Sequence, residues 1–323
     1  MTILLTGARG FVGKALLNLL VDRGQPVRAL TREKEVVECV RAENSIIEWR
    51  VLPAVDNSAG LNEVMRGVTE VIHLAARVHV MHESVVDPLA AFRAVNVAGT
   101  VALARAAAAQ GVRRFVFVSS IKVNGEETFP LRPFTEDDDT APQDSYAISK
   151  WEAEQVLHQV AQETGLEIVI VRPPLVYGPG VKGNFAQMLK VVYRGIPLPL
   201  ASVQNRRSLI YVGNLVDALI ACAIHPAAAG QTFLVCDGES ISTPGLLRQL
   251  AAAMAVPLRL FPCPIALLKM AGKLAGKSQQ LERLLGSLEI DSAKIRCKLN
   301  WAPPYSLQQG LRETAEWCLI KHI

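Results

Sequence analysis

The chain of 323 residues lacks an uncharged apolar stretch of about 18 residues, so no helix is expected to cross a bilayer. It lacks a Lys/Arg-rich run, so no nucleic-acid partner is expected; the modest net charge of +4 suits an anionic ligand. Its six cysteines, Cys39, Cys222, Cys236, Cys263, Cys297 and Cys318, are scattered and form no C-x-x-C pair. No signal-peptide pattern stands ahead of Thr2. Reduced thiols in a cytoplasmic enzyme are the simplest expectation. His73, His79 and His82 have no carboxylate or cysteine to complete a ligand set, so no metal is expected. Internal repeats and low-complexity segments are absent. What the chain has is apolar bulk, 50% of its residues, at a length that suggests two domains.

The stretch that carries chemistry is Tyr146-Ala147-Ile148-Ser149-Lys150. Residues four apart share one face of a helix. The following Trp151 to Leu157 contain no Gly or Pro, as a helix requires. An ammonium beside a phenol favours the phenolate, so Lys150 is expected to bring the acidity of Tyr146 toward working pH. Such a phenol suits general acid/base work at a carbonyl or alcohol carbon. The plain reading of the same spacing is an exposed lysine beside a half-buried tyrosine.

The N-terminus supplies a partner for that chemistry. Thr2 to Leu5 reads as a buried strand. Thr6-Gly7-Ala8-Arg9-Gly10-Phe11-Val12-Gly13 follows, and then an apolar helix from Lys14 to Val21. Glycines in a strand–turn–helix order let backbone approach a pyrophosphate. The helix N-terminus adds free N–H groups and the positive end of its dipole. The plain alternative is a Gly-rich turn without a ligand.

Five segments stand in one register: Thr6-Gly7-x-x-Gly10-Phe11-x-Gly13, His73-Leu74-Ala75-Ala76, Ser119-Ser120, Tyr146-x-x-x-Lys150 and Arg172-Pro173. In this the chain resembles the extended short-chain dehydrogenase/reductases over its length to about Leu319. Within them it resembles the nucleotide-sugar epimerases, dehydratases and 4-keto reductases. The resemblance implies an α/β fold, a Rossmann-like doubly wound parallel sheet with a smaller, interleaved substrate domain. Residues 1–172 would form the dinucleotide-binding part, with later segments returning to it, and 173–323 mainly the substrate part.

The resemblance also implies roles. Ser120 would orient the substrate oxygen, Tyr146 exchange the proton, and Lys150 tune the phenol and hold the nicotinamide ribose. Gly7, Arg9, Gly10, Phe11, Val12, Gly13, Ala75, Ala76, Ser119 and Pro173 would line the cofactor, with Asn96 structural and cofactor-proximal. His73 reads as a packed strand residue. Thr31 and Arg32 follow the second strand, where an acidic residue often holds the adenosine ribose. With no acid at that position, and with Arg32 and Arg9 suited to a 2′-phosphate, the reading leans to NADP and keeps NAD open. Solvated arginines are the other reading.

On the substrate side, Lys122, Asn124, Asn184 and Phe185 would face the sugar nucleotide, and Arg207 and Arg283 its diphosphate. Fork geometry and charge suit arginine to that task. Leu175 stands where many sugar-nucleotide epimerases carry an asparagine. That favours 4-keto reduction of a UDP-hexosamine-type sugar in surface polysaccharide biosynthesis over a 4-epimerase with retained NAD. A non-catalytic dinucleotide sensor on the same fold is a distant alternative. The acidic run Glu136 to Asp139 reads as a solvated lip. The Ala-rich helix Pro88 to Gln110, with the Tyr146 helix, implies a homodimer; internal packing is the alternative. Residues 258–288 mix cations with apolar residues, which permits a peripheral membrane contact, a substrate lid or a packed helix.

Overall fold

The computed structural model describes residues 1–33, 46–78, 87–274, 276 and 278–321. His79 and His82 lie outside these residues, as do Cys39, Ala275 and Lys277. Among the described residues, no cluster of His, Cys, Asp or Glu is placed to hold a metal.

The large sheet has seven strands: β1 (Ile3–Thr6), β2 (Val27–Thr31), β3 (Ile47–Val51), β4 (Glu70–His73), β5 (Arg114–Val118), β6 (Glu167–Arg172) and β9 (Thr232–Leu234). Their order is β3-β2-β1-β4-β5-β6-β9, and every pairing is parallel. The central strands β1 and β4 are buried along their whole length. That agrees with helices covering both faces of a parallel sheet. The chain runs outward from β1 to β3, then restarts on the other side of β1 at β4. The crevice beyond the C-terminal ends of β1 and β4 is therefore the topological switch point, where doubly wound sheets bind ligands.

Residues beyond 172 return to this sheet. β9 extends its edge, and helix Val212–Ile224 packs against its face and against helix Phe11–Asp22. A smaller sheet, β10-β8-β7, pairs β7 (Leu175–Tyr177) parallel to β8 (Arg207–Tyr211), and β8 antiparallel to β10 (Ser240–Ile241).

The Ala-rich segment is two helices, Pro88–Arg93 and Gly99–Ala109, joined by a π turn over Ala94–Ala98. By length and composition, Pro88–Ala109 would suffice to cross a bilayer. Here it lies in the fold, with Phe92, Asn96, Leu103, Ala104, Ala106 and Ala107 buried. Small side chains at 104, 106 and 107 therefore serve internal packing.

Candidate active site

Two glycines shape the turn at the switch point. Gly7 has φ +70°, and a Cβ there would meet the Ala75 amide nitrogen at 2.9 Å. A Cβ on Gly13 would lie 2.0 Å from the Gly7 carbonyl oxygen. The turn is thus pressed against the end of β4 on one side and its own helix on the other. Helix Phe11–Asp22 starts at Gly10, and its first N–H groups face the turn. Thr6 closes the base: its Oγ1 accepts from the Ala75 amide at 3.1 Å and lies 2.7 Å from His73 Nδ1. His73 is buried between Phe115 and Phe117, a packed strand residue.

At the end of β5, Ser119 donates its backbone amide to Val171. Its Oγ is buried without a protein partner among the described residues. An orphaned hydroxyl beside a turn shaped for close backbone approach fits a dinucleotide. Pro173 lies alongside, its carbonyl accepting from the Ile121 amide at 3.0 Å. Ser120 caps the short 3₁₀ turn Ile121–Val123 and is partly exposed.

Helix Ser145–Thr164 carries Tyr146 and Lys150. Asp144 caps its start, accepting from the Ala147 amide at 2.8 Å; an acid just before a periodic apolar run is a helix-start signal. Lys150 is buried, with Nζ 4.1 Å from the centre of the Phe117 ring. Asn96, placed by the π turn, fixes this helix. Its Nδ2 donates to Ser149 Oγ (2.9 Å) and to the Arg77 carbonyl, and its Oδ1 accepts from the Arg77 amide. A π turn inside a helix often marks a functional site, and here it aims one amide at two segments.

The expected tuning of Tyr146 by Lys150 is corrected by burial. Burial, then the Asp144 charge, pushes the phenol up to about 12. Burial also pulls the Lys150 ammonium down to about 7, partly opposed by Glu154. Low dielectric disfavours the charged form of each. Glu154 accepts two bonds from Arg172, at 3.0 and 2.5 Å, in a buried pair one turn beyond Lys150.

Several substrate-facing expectations change. Asn124 is buried; its amide donates to the Thr135 carbonyl and its oxygen accepts from Arg172, so it belongs to the scaffold. Phe185 is buried and stacks on Tyr177 at 5.6 Å, in the core, while its neighbour Asn184 is exposed at the start of helix Gly183–Tyr193. Lys122 is not free: its ammonium, partly exposed, bonds Glu126 (2.7 Å) and Asp144. Glu136 turns inward and accepts from the Leu234 amide, so the acidic run is only partly a solvated lip. Asn214 bonds the buried Asp237 carboxylate at 2.8 Å. A second carboxylate there would repel the first.

Arg207 and Arg283 do come together. Arg207 Nη1 donates to the Arg283 carbonyl at 2.7 Å, and Arg283 lies 3.6 Å from Glu126 and 3.9 Å from Asp144. Arg283 Nε is buried without a partner among the described residues. Burial and the adjacent Arg283 charge lower the pKa of Arg207. Lys122 and Arg283 therefore gather on Glu126 and Asp144, with Arg207 beside Arg283; sequence reasoning missed the part these two acids play.

Sequence reasoning also missed Glu33. It forms an ion pair with Arg9, linking the Gly-rich turn to the end of β2. Thr31 is buried, its hydroxyl accepting from the Glu33 amide at 3.2 Å, and Arg32 is exposed. Arg9 is thus already paired with an acid two residues beyond Thr31.

A doubly wound sheet, a glycine turn at its switch point and a half-buried tyrosine one helical turn from a buried lysine define a dinucleotide-dependent enzyme of the short-chain dehydrogenase/reductase type. Residues 3–236 match the NAD dependent epimerase/dehydratase family, and the chain belongs to that family. A UDP-glucose 4-epimerase of Vibrio cholerae is 43% identical over 316 residues, spanning 98% of this chain and 94% of the relative. The N-acetyl-alpha-D-glucosaminyl-diphospho-ditrans,octacis-undecaprenol 4-epimerase of Escherichia coli O157:H7 is 25% identical, over 98% of this chain and 94% of its own. The crystal structure of UDP-glucose 4-epimerase from Thermotoga maritima shares the fold with a TM-score of 0.78, covering 100% of both chains at 22% identity.

Proposed function

We propose that the enzyme moves hydride at C4 of a UDP-linked, hexosamine-type sugar. The observation that carries this is the polar mouth at the start of the Tyr146–Lys150 helix, where Lys122, next to Ser120, and Arg283, which holds Arg207, meet on the Asp144 cap. Gly7, Gly10, Phe11, Val12, Gly13, Ala75, Ala76, Ser119 and Pro173 would hold NAD, which supplies the hydride acceptor and donor when bound. Ser120 orients the C4 oxygen. Tyr146 takes the hydroxyl proton as the C4–H bond breaks and returns a proton when that bond is remade. Lys150 sets the charge beside the phenol. Arg207 and Arg283 grip the diphosphate, and Arg283 releases its Glu126 and Asp144 contacts as it does so.

Net 4-epimerisation with retained NAD is the first reading. The Arg9–Glu33 pair supports it, because a carboxylate at the adenosine ribose would repel a 2′-phosphate. The 43%-identical relative carries that activity in its name. Net 4-keto reduction, with NADP as the alternative cofactor, is the second reading. Leu175, an exposed apolar residue on β7 where family epimerases carry an asparagine, favours it. The same proposal places the enzyme in the cytoplasm, in surface polysaccharide biosynthesis. It acts as a homodimer through the outward face of the 88–109 and 145–164 helices, where Ala90, Ala94 and Ala98 leave room for close approach.

The test is incubation with UDP-N-acetylglucosamine without added cofactor. Accumulation of the C4 epimer, with NAD released on denaturation, is the expected result. Stoichiometric consumption of reduced cofactor by a 4-keto UDP-sugar, with no epimer formed, selects the second reading. Failure of both reactions would sink the C4 assignment.

A further inference from the structure

Between Glu239 and Glu282 the chain has no acidic residue, yet it carries Arg248, Arg259, Lys269, Lys273 and Lys277. Helix Ile265–Leu274 lies in this stretch. Only part of it faces the protein. Leu268 is buried in the core, and Gly272 sits so close to helix Ser278–Leu285 that a Cβ would meet Leu281 at 2.6 Å. Those two positions are four apart and define the inward face.

The opposite side is apolar. Leu267, Met270 and Leu274 are 51%, 56% and 83% exposed, at helical spacings of three and four. Phe261 and Ile265, just before them, are 46% and 42% exposed. Lys269 and Lys273, also four apart and exposed, flank this stripe on one side. An apolar stripe bordered by lysines is the pattern of a helix lying in the plane of a bilayer surface.

We propose that this helix docks the enzyme on an anionic lipid bilayer. Charge selects this occupant. A second copy would set one acid-free, cationic face against an identical one, which a two-fold contact cannot relieve. Anionic headgroups complement the lysines, and the acyl boundary takes Leu267, Met270 and Leu274. The Gly272–Leu281 contact ties the docked helix to the one that carries Arg283. Docking therefore brings the polar mouth of the site close to the lipid surface. The inference rests on exposure and charge and does not depend on which C4 reaction is run.

The experiment is flotation of the full-length protein with phosphatidylcholine vesicles, with and without phosphatidylglycerol. Partition is expected only with phosphatidylglycerol, and high salt should reverse it. Lys269→Gln/Lys273→Gln should weaken partition by about fivefold per lysine, near 25-fold for the pair. Leu267→Ser/Met270→Ser should abolish it, with melting temperature and turnover of a soluble substrate unchanged. Absence of partition by the wild type overturns the proposal, as does equal binding to neutral vesicles. Self-association in lipid-free solution that Leu267→Ser/Met270→Ser removes would assign the face to a second copy and also overturn it.

Discussion

Acid should loosen the fold through His73. The ring is 3% exposed and bonded at both nitrogens. Thr100 Oγ1 donates to the Asn96 carbonyl at 2.7 Å, so toward His73 it is an acceptor, and Nε2 carries the hydrogen. Nδ1 then accepts from Thr6, whose oxygen also receives the Ala75 amide. Every bond is satisfied by one neutral tautomer. Burial, then the Lys150 charge, pulls the folded pKa from 6.5 down to about 3. The sign follows from proton counts. Between those two values the unfolded chain binds a proton that the folded chain refuses, so this contribution is full above 6.5 and is lost as pH falls toward 3. At about pH 5 the unfolded-state pKa lies some 1.5 units above the solution, which amounts to roughly 2 kcal/mol. Urea denaturation of the wild type and of His73→Gln at about pH 7 and pH 5 isolates the group from other titrating residues. The wild type should lose roughly 2 kcal/mol more than the variant on acidification. Equal losses would show that His73 does not refuse the proton, and the tautomer argument would fail with it.

Two further outcomes bear on the chemistry. Tyr146→Phe should cut turnover by about 10²–10⁴-fold while NAD affinity, read by fluorescence titration, stays within a factor of about two; near-native turnover would remove the phenol from the reaction. Arg207→Ala should raise KM for the UDP-sugar by roughly 10–100-fold, the value of a charged hydrogen bond, and leave NAD affinity unchanged. Equal loss for both ligands would point instead to the scaffold that Arg207 builds on the Arg283 and Gly286 carbonyls.

The parts of the fold that were legible in the sequence are those with a local signature. The strand–glycine–helix start, the Tyr146 helix and the parallel strands are each encoded by periodicity over a few residues. Packing decided what remained hidden. Asn124 and Phe185 look like exposed loop and helix-start residues in the sequence. Only the tertiary structure reveals Arg172 waiting for one and Tyr177 for the other. Glu33 lies two positions beyond Thr31, and what gives it weight is its pairing with Arg9, 24 residues earlier in the chain. The division of the Ala-rich helix by a π turn has no sequence mark, because Ala94 to Ala98 contain no Gly or Pro. The turn shows itself through Asn96, a polar residue whose buried amide reaches Arg77 and Ser149.

Burial of the Tyr146–Lys150 pair bears on how a turnover begins. With the phenol near 12 and the ammonium near 7, the first proton the pair gives up as pH rises is lysine's. The phenol therefore rests protonated, an acid in the role the proposed reaction gives it. An alkoxide is a stronger base than a phenolate, so a phenol this weak still protonates one. The return of hydride to a 4-keto sugar creates that alkoxide, and this half-reaction is common to both proposed readings. Oxidation of the alcohol needs the opposite state, a phenolate, and so needs positive charge kept on Lys150. Glu154 provides for that, since its carboxylate opposes the loss of the ammonium proton. Arg172 holds Glu154 by two bonds and so limits how much of that charge reaches Lys150. The charge on Lys150, and through it the readiness of Tyr146 as acid or base in the proposed reaction, is thus biased by a buried pair one turn away.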